Sequence, residues 1–175
     1  MIKIKNISMR NFLSIGNATQ TVKLNTPGLT LVLGENLDLG GGGSRNGVGK
    51  TTILQAISFA LYGQPLTNIR KDNLVNSINQ KGMIVTIEYE INGKKYRIER
   101  GRKPNILKYF IDDGIVKDPD SDEGHGESKW TQNEIEKVLI LSHTMFKNIV
   151  VLHTKTPPFL NLGDKSQRDI IEELM

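Results

Sequence analysis

The sequence predicts an α/β fold that combines a mixed β-sheet with an antiparallel β-meander, and three observations support this prediction. An apolar run at residues 29–33 is followed by a glycine-rich loop and then by apolar residues at helical spacing. Residues 83–117 alternate between apolar and polar side chains, and turn sequences interrupt them. With 175 residues and a hydrophobic content of 37%, the chain is long enough to bury one such core.

Strands are predicted at the start of the chain. Apolar and polar residues alternate over 2–9, and residues 21–24 form a second short strand pattern. Residues 29–33 are almost continuously apolar, which is typical of a strand buried on both faces of a sheet. Residues 52–62 carry apolar side chains at helical spacing, and Gly63 ends this predicted helix.

Two β-hairpins are predicted within the meander at 83–117. The first joins 83–91 to 94–100 through Asn92 and Gly93, a pair typical of a type I′ turn. The second surrounds the sequence Asp-Asp-Gly at 112–114. Both turns are short enough to join antiparallel strands directly.

The last third of the chain is predicted to be mainly helical. Residues 118–129 are polar and contain Pro and Gly, so we expect an exposed, mobile loop there. Capping signals at Thr131, Ser142 and Asp164 predict helices over 131–139, 142–148 and 165–175. The apolar, β-branched run at 149–152 predicts a buried strand.

Residues 46–52 contain the end of a Walker A phosphate-binding loop. Glycines allow backbone N–H groups to approach phosphate oxygens, Lys50 supplies a cation to the β- and γ-phosphates, and Thr51 supplies a hydroxyl ligand to Mg²⁺. A strand before the loop and a helix after it form the context that the motif requires. We therefore expect ATP or GTP with Mg²⁺ to bind through Asn46, Gly47, Val48, Gly49, Lys50, Thr51 and Thr52.

The phosphate-binding loop at 34–52 departs from the usual pattern. Ser44 stands where the motif requires its first glycine, and residues 35–43 separate Gly34 from the rest of the loop. This insertion contains four consecutive glycines, as flexible linkers do. It is interpreted either as a natural extended loop or as an engineered splice, and the complete segment 46–52 favours the natural loop. The alternative for the whole loop is a glycine-rich turn that binds no nucleotide.

A self-sufficient nucleotide hydrolase also needs an apolar strand that ends in an acidic residue. Residues 108–113 are the only candidate, with Asp112 or Asp113 as the acid, but a hairpin turn explains these residues better. Three hypotheses follow: the nucleotide-binding half of a larger ATPase, a complete small nucleotide or metabolite kinase that uses Asp112 or Asp113, and a DNA-binding or assembly module that uses nucleotide structurally. The first is favoured, and it places no catalytic residue within this chain.

Composition narrows the class of protein. The net charge of +4 is compatible with nucleic acid as a partner and equally with solvated lysines. Cysteine is absent, and the three histidines (His125, His143 and His153) lack the spacing of a metal site. The sequence shows neither a signal peptide nor an apolar run that could cross a membrane, so we expect a cytoplasmic protein with no membrane partner.

An ordered series of segments resembles one family. These segments are 11–16, 31–36, 46–52, 56–57, 61–63, 100–105, 146–152, 159–160 and 166–169. Together they resemble the SMC-like DNA-repair ATPases of the SbcC type, with particular likeness to the members from T-even-like bacteriophages. Walker A alone is a common motif, whereas this ordered series spans nearly the whole chain and is far more specific.

The resemblance implies that residues 1–175 are the N-terminal lobe of an ABC-type P-loop NTPase head. Residues 165–175 would then begin a helix that leads to a coiled coil, followed by a C-terminal lobe of the same ATPase. Two heads are expected to sandwich two ATP molecules and so regulate an SbcD-type nuclease subunit on double-stranded DNA, in end processing and recombination. Alone, this part of the ATPase is expected to hydrolyse ATP weakly or not at all.

Two departures from the family and one basic group complete the candidate site. The family's magnesium-contacting glutamine is expected near Thr154, whose hydroxyl is the remaining candidate ligand, and the arginine that follows Asn-Phe in many relatives is Leu13 here. The candidate DNA-contacting residues, on the predicted meander and the loop after it, are Arg97, Arg100, Arg102 and Lys103. A solvated strand face is the equal alternative for these four cations.

Overall fold

The computed structural model describes residues 2–35, 48–117, 129–151 and 159–174. The described strands form one six-stranded sheet with the order β2-β1-β3-β4-β5-β6. The strands are β1 (Ile2–Arg10), β2 (Gln20–Lys23), β3 (Met83–Ile91), β4 (Lys94–Arg102), β5 (Ile106–Ile111) and β6 (Gly114–Val116). The helices are α1 (Lys50–Tyr62), α2 (Lys129–Leu139), α3 (His143–Met145) and α4 (Asp164–Leu174).

The predicted meander is confirmed, and its turns have the expected geometry. Asn92 and Gly93 have φ values of 51° and 83°, and Asp112 and Asp113 have 46° and 66°. Positive φ at both central residues is the type I′ conformation, whose twist matches that of the paired strands. This turn chemistry fixes the register, so that Tyr89 pairs with Tyr96 across β3 and β4 and the core residues of both strands point to one face.

Helix α1 packs against the sheet on the face where the alternating apolar residues lie. Ala56, Phe59 and Ala60 are buried there, and the Phe59 ring lies 5.9 Å from the ring of Phe12, just after β1. Gly63 ends the helix in a left-handed conformation (φ 64°) and donates its N–H to the carbonyl of Phe59, as predicted. The core therefore holds the N-terminus of α1, where the phosphate-binding loop ends, against β1.

The strand expected at 29–33 is not formed, and the expectation of a buried strand there was wrong. Leu31 and Leu33 are 77% and 66% exposed, and these residues belong to no strand. A strand buried on both faces needs paired neighbours and covering layers on both sides, and the described sheet offers neither at this position. Every strand pair that the structure describes is antiparallel.

The run at 149–152 also differs from its predicted strand. Phe146–Val150 forms a π-helical turn that continues α3, and Ile149 and Val150 are about half exposed. Short apolar runs do not distinguish a strand from a helical segment. Leu152 lies outside the described residues, as does most of the predicted loop at 118–129; its last residue, Lys129, instead begins α2.

The other predicted helices are confirmed with small shifts. Ser142 caps α3 by accepting a hydrogen bond from the N–H of Met145 at 3.2 Å. Asp164 is the first residue of α4 rather than the residue before it. Among the described residues, no helix is long and apolar enough to cross a membrane.

Candidate phosphate-binding site

The N-terminus of α1 is built to receive an anion. Gly49 precedes the helix in a left-handed conformation (φ 87°), no side chain caps the helix there, and its first turn contains no acidic residue. Only glycine adopts this φ without strain. The first N–H groups of a helix lack carbonyl partners one turn back, so a helix N-terminus carries partial positive charge. Here the Thr52 N–H donates to the Gly49 carbonyl at 3.0 Å. This geometry fits a phosphate group.

The side chains around this terminus are hydrogen-bond donors of the kind a magnesium-nucleotide needs. Lys50 begins the helix, Thr51 is exposed and Thr52 is buried. A cation, a hydroxyl and backbone N–H groups are the donor set that P-loops use for phosphates and Mg²⁺. The described residues at the N-terminus of α1 supply this set of groups, which therefore fits a nucleotide phosphate. Asn46, Gly47 and Thr154 were also predicted to take part, and all three lie outside the described residues.

The two ends of the insertion come together at this site. A Cβ atom on Gly34 would overlap Cγ2 of Val48, so the chain on either side of residues 36–47 is in contact. Glycine is required at position 34 because the Val48 side chain occupies the space of a side chain there. The chain before residue 36 and the chain after residue 47 thus meet beside the N-terminus of α1. The two halves of one phosphate-binding loop are expected to meet in this way.

A small apolar cavity of about 180 Å³ lies beside the loop. Strands β1 and β2 form one wall and the start of α1 forms another, with Ile15, Val22, Val32 and Ile53 among the lining residues. Gly49 and Lys50 also line the cavity, so the cavity adjoins the N-terminus of α1. Residues 32–34 therefore line the cavity beside the loop although they form no strand.

Asp112 and Asp113 do not belong to this site in the described structure. Both form the tip of the hairpin between β5 and β6, as the hairpin interpretation predicted. One Asp112 carboxylate oxygen accepts the N–H of Lys95 at 2.9 Å, and the Asp112 N–H donates to the Lys95 carbonyl at 2.9 Å. These hydrogen bonds hold the turn closed, so the Asp112 carboxylate has a structural role in the hairpin.

The four predicted DNA-contacting residues do not form one basic surface. Arg100 is 1% exposed, its Nε donates to the carbonyl of Ala60 at 3.1 Å, and its guanidinium also bonds Gln132. The expectation for Arg100 was therefore wrong: Arg100 points into the core, on the same strand face as Tyr96 and Ile98. A phosphate cannot reach this guanidinium without unfolding the contact between α1 and α2.

The other three residues of that set lie at the surface. Arg97 is on the opposite face of β4, where it pairs with Glu99 and stacks 3.8 Å above the ring of Phe110. Arg102 pairs with Asp72 at 2.7 Å, and this contact lowers the pKa of the Asp72 carboxyl. Lys103 is exposed. Since Arg97 and Arg102 already have acidic partners, they are weaker candidates for phosphate than their exposure suggests.

A basic cleft that the sequence did not reveal lies elsewhere. It has a volume of about 710 Å³ and lies between residues 64–71, which follow α1, and the α3 region. Arg70, Lys71 and Lys147 line it, no acidic residue does, and none of these three cations forms an ion pair within the described part of the chain. In the sequence only Arg70 and Lys71 are neighbours. Folding brings Lys147 to the same cleft.

Comparisons with known proteins agree with this geometry. A family model described as an AAA domain matches residues 6–175. The chain is 33% identical over 174 residues to Exonuclease subunit 2 of Enterobacteria phage T4, covering 99% of this chain and 28% of that protein. It is also 33% identical over 174 residues to the DNA double-strand break repair Rad50 ATPase of Archaeoglobus fulgidus, covering 99% of this chain and 17% of that protein.

The fold is also that of a solved structure. The match has a TM-score of 0.61 at 16% sequence identity, and it covers 98% of this chain and 99% of the other. That structure comes from work on ATP-driven dimerization and DNA stimulated activation of SMC ATPases. The chain spans about a quarter or less of the length of the curated relatives described above.

Proposed function

Because the chain belongs to the AAA domain family, we propose that it is the ATP-binding N-terminal lobe of an SMC-like ATPase that regulates a partner nuclease on DNA ends. The observation that carries this proposal is the uncapped N-terminus of α1, with Gly49 in a left-handed conformation and Lys50 and Thr51 in the first turn. The AAA domain implies nucleotide binding, and this terminus is where the described residues offer phosphate donors.

Each residue of the loop has a distinct task in this proposal. The backbone of Val48 and Gly49 approaches the phosphate oxygens, Lys50 neutralises the β- and γ-phosphates, and Thr51 provides a hydroxyl ligand for Mg²⁺. Thr51 would hold Mg²⁺, which would supply further positive charge to balance the negative β- and γ-phosphates. Asn46, Gly47 and Thr154 stay predicted contributors on the strength of their sequence positions.

A C-terminal lobe of the same ATPase is the proposed partner of the exposed apolar run at 29–33. Leu31 and Leu33 would bury their side chains against added strands, which would give the run the two-sided burial that its composition favours. The chain spans 28% of the phage T4 relative, which leaves room for such a lobe in a protein of that length. Residues 164–174, an amphipathic charged helix, would then begin the coiled-coil connection.

The names of the relatives support a proposal of head dimerisation and nuclease control. One solved neighbour is described by its ATP-driven dimerization, and the phage relative is an exonuclease subunit. We propose that two such heads close around ATP and that closure controls an SbcD-type nuclease subunit. A self-contained kinase is not favoured, because the Asp112 carboxylate is bonded to Lys95 within a hairpin turn.

Double-stranded DNA is the proposed polyanion for the basic cleft. Arg70, Lys71 and Lys147 line it and form no ion pair with any residue that the structure describes. The amides and hydroxyls beside them are donors that proteins use to contact phosphate without reading sequence. Arg97, Arg102 and Lys103 remain secondary candidates, and Arg100 is excluded by its burial.

Two sets of variants test the proposal separately. Lys50→Ala is expected to weaken binding of Mg-ATP by about ten- to a hundredfold, because a hydrogen bond to a charged group is lost. Lys147→Ala is expected to leave Mg-ATP affinity unchanged, to weaken binding to duplex DNA and to reduce its salt dependence by about one ion. Lys108→Ala, an exposed lysine on β5, is the charge-matched control for DNA.

The outcomes separate the two sites. Mg-ATP affinity that is unchanged in Lys50→Ala would contradict the nucleotide site. DNA affinity that falls equally in Lys147→Ala and Lys108→Ala would contradict the cleft and leave only a general charge effect. Vigorous ATP hydrolysis by this chain alone, abolished by Asp112→Asn, would support the kinase-like alternative instead.

A further inference from the structure

A second loop reaches the phosphate-binding terminus from the other side. Residues 11–19 connect β1 to β2, and within this loop the hydroxyl oxygen of Ser14 lies 3.3 Å from the hydroxyl oxygen of Thr52. A Cβ atom on Gly49 would lie 3.4 Å from the same Ser14 oxygen. Ser14 thus contacts Thr52 and lies beside Gly49, although it lies far from the Walker A residues in the sequence.

Hydrogen bonds and a buried aromatic side chain fix the position of this loop. The Leu13 N–H donates to the carbonyl of Leu74 at 2.7 Å, and the side-chain amide of Asn76 donates to the Leu13 carbonyl at 2.9 Å. Phe12 is fully buried against Phe59. The surrounding structure therefore fixes the position of Ser14, and the contact with Thr52 does not depend on a freely moving loop.

The backbone of the loop also carries local strain. Asn11 and Leu13 have φ values of 51° and 49°, a region that costs a non-glycine side chain free energy, and more so for leucine than for asparagine. Such conformations persist only where the surrounding structure determines them, and they concentrate at functional sites. The strain turns the chain so that the exposed Ser14 side chain faces the helix N-terminus.

The hydrogen-bonding chemistry of hydroxyl groups determines which of Ser14 and Thr52 donates when a phosphate is bound. A hydroxyl has one proton to donate and two lone pairs to accept with. When Thr52 gives its proton to a phosphate oxygen, its own oxygen is left to accept a proton from Ser14. This series of hydrogen bonds orients the Thr52 proton towards the phosphate, and each hydrogen bond strengthens the next.

From this geometry we infer that Ser14 is a positioning residue of the nucleotide site, which holds Thr52 and the first turn of α1 in the phosphate-binding arrangement. The inference rests on the proposed function and adds a residue outside the Walker A loop. Ser14 acts through Thr52 and Gly49 and needs no direct contact with the nucleotide. Its contribution should therefore depend on the phosphates of the ligand and not on its base.

The test is the affinity of three variants for phosphate ligands. Ser14→Ala is expected to bind Mg-ATP, Mg-ADP and magnesium pyrophosphate each about fivefold more weakly, since one neutral hydrogen bond is lost. Ser14→Thr keeps the hydroxyl and should restore affinity to near the unchanged chain. Ser8→Ala is the matched control, because Ser8 forms the same kind of hydroxyl pair with Thr21 at 2.8 Å elsewhere on the sheet.

A thermal unfolding curve accompanies each titration, since the exposed Ser14 side chain is expected to affect stability little. Ser14→Ala that binds as tightly as the unchanged chain, while Lys50→Ala does not bind, would overturn the inference and leave the proposed function intact. A loss for ATP but not for pyrophosphate would also overturn it, because the effect would then involve the nucleoside. Failure of the unchanged chain to bind any of the three ligands would contradict the proposed function itself.

Discussion

Tyr62, in the last turn of α1, donates a 3.0 Å hydrogen bond from its hydroxyl to the carbonyl of Leu141. One turn earlier in the helix, the Ser58 hydroxyl lies 3.0 Å from Nε2 of His143. Glu173 on α4 then accepts hydrogen bonds from the N–H and the hydroxyl of Ser142, at 2.7 and 2.6 Å. Helix α1 therefore connects the phosphate-binding terminus at one end to α4 at the other.

Replacing Tyr62 with Phe should destabilise this connection. The substitution removes the partner of the Leu141 carbonyl, so we expect a loss of about 1–2 kcal/mol in the free energy of unfolding, measured by urea denaturation. Burial, with Glu136 and Glu173 nearby, raises the pKa of Tyr62 to about 12, so the hydroxyl keeps its proton at every pH of the measurement.

Tyr109→Phe is the matched control for Tyr62→Phe. The Tyr109 hydroxyl is buried and has no hydrogen-bond partner within the described residues, so its removal should be neutral or slightly stabilising. Equal destabilisation by the two substitutions would show that the bond to Leu141 is not the source of the effect.

Arg100→Ala should act on stability and not on DNA binding. The variant leaves the Ala60 carbonyl and Gln132 without their guanidinium partner in a buried setting, and a loss of about 3 kcal/mol is expected on unfolding. Arg102→Ala, which breaks an exposed pair with Asp72, should change stability little. Selective loss of DNA affinity in Arg100→Ala, with unchanged unfolding, would contradict the buried role.

The stability of the chain should fall through His143 as the pH drops below about 6.5. Burial, and then the charge of Lys147, lower the pKa of His143 below its usual value. As the pH falls below about 6.5, the unfolded chain takes up the proton first, so folding loses stability until the lower folded pKa is reached. Urea midpoints at pH 7.5 and 5.5 measure this loss, and His143→Gln should reduce it. An identical pH dependence in that variant would remove His143 as the cause.

The exposed apolar run should promote self-association of the isolated chain. Leu31→Ser combined with Leu33→Ser removes exposed apolar surface, so we expect less concentration-dependent association in sedimentation experiments. Stability should change by less than about 0.5 kcal/mol, since both side chains are largely exposed. A large loss of stability would instead mean that the run packs against this lobe.

Local patterns predicted the elements whose stability depends on local chemistry. The turn residues Asn92 and Gly93 set the hairpin, and Gly63 ends α1, because these conformations depend on the residues themselves. The run at 29–33 was misassigned because apolar composition reports a need for burial without identifying what buries it. Two-sided burial would require neighbouring strands, and the described sheet does not supply them at this position.

The candidate site was predictable only in part, for a similar reason. Lys50 and Thr51 could be predicted because the Walker A motif is contiguous in sequence, and the structure places both in the first turn of α1. Arg100 was misplaced, although its alternation with Tyr96 and Ile98 along β4 placed it on the core face. Ser14 and the cleft with Lys147 arise from contacts between distant segments, and one sequence carries no local signal for them.

Backbone amide resonances measured by NMR during a titration with Mg-ATP test the central claim most directly. If phosphates bind at the N-terminus of α1, the amides of Gly49, Lys50, Thr51 and Thr52 should shift most, and adenosine without phosphates should leave them unchanged. Shifts that centre on the hairpin at Asp112 and Asp113, or the same shifts with adenosine alone, would contradict the account.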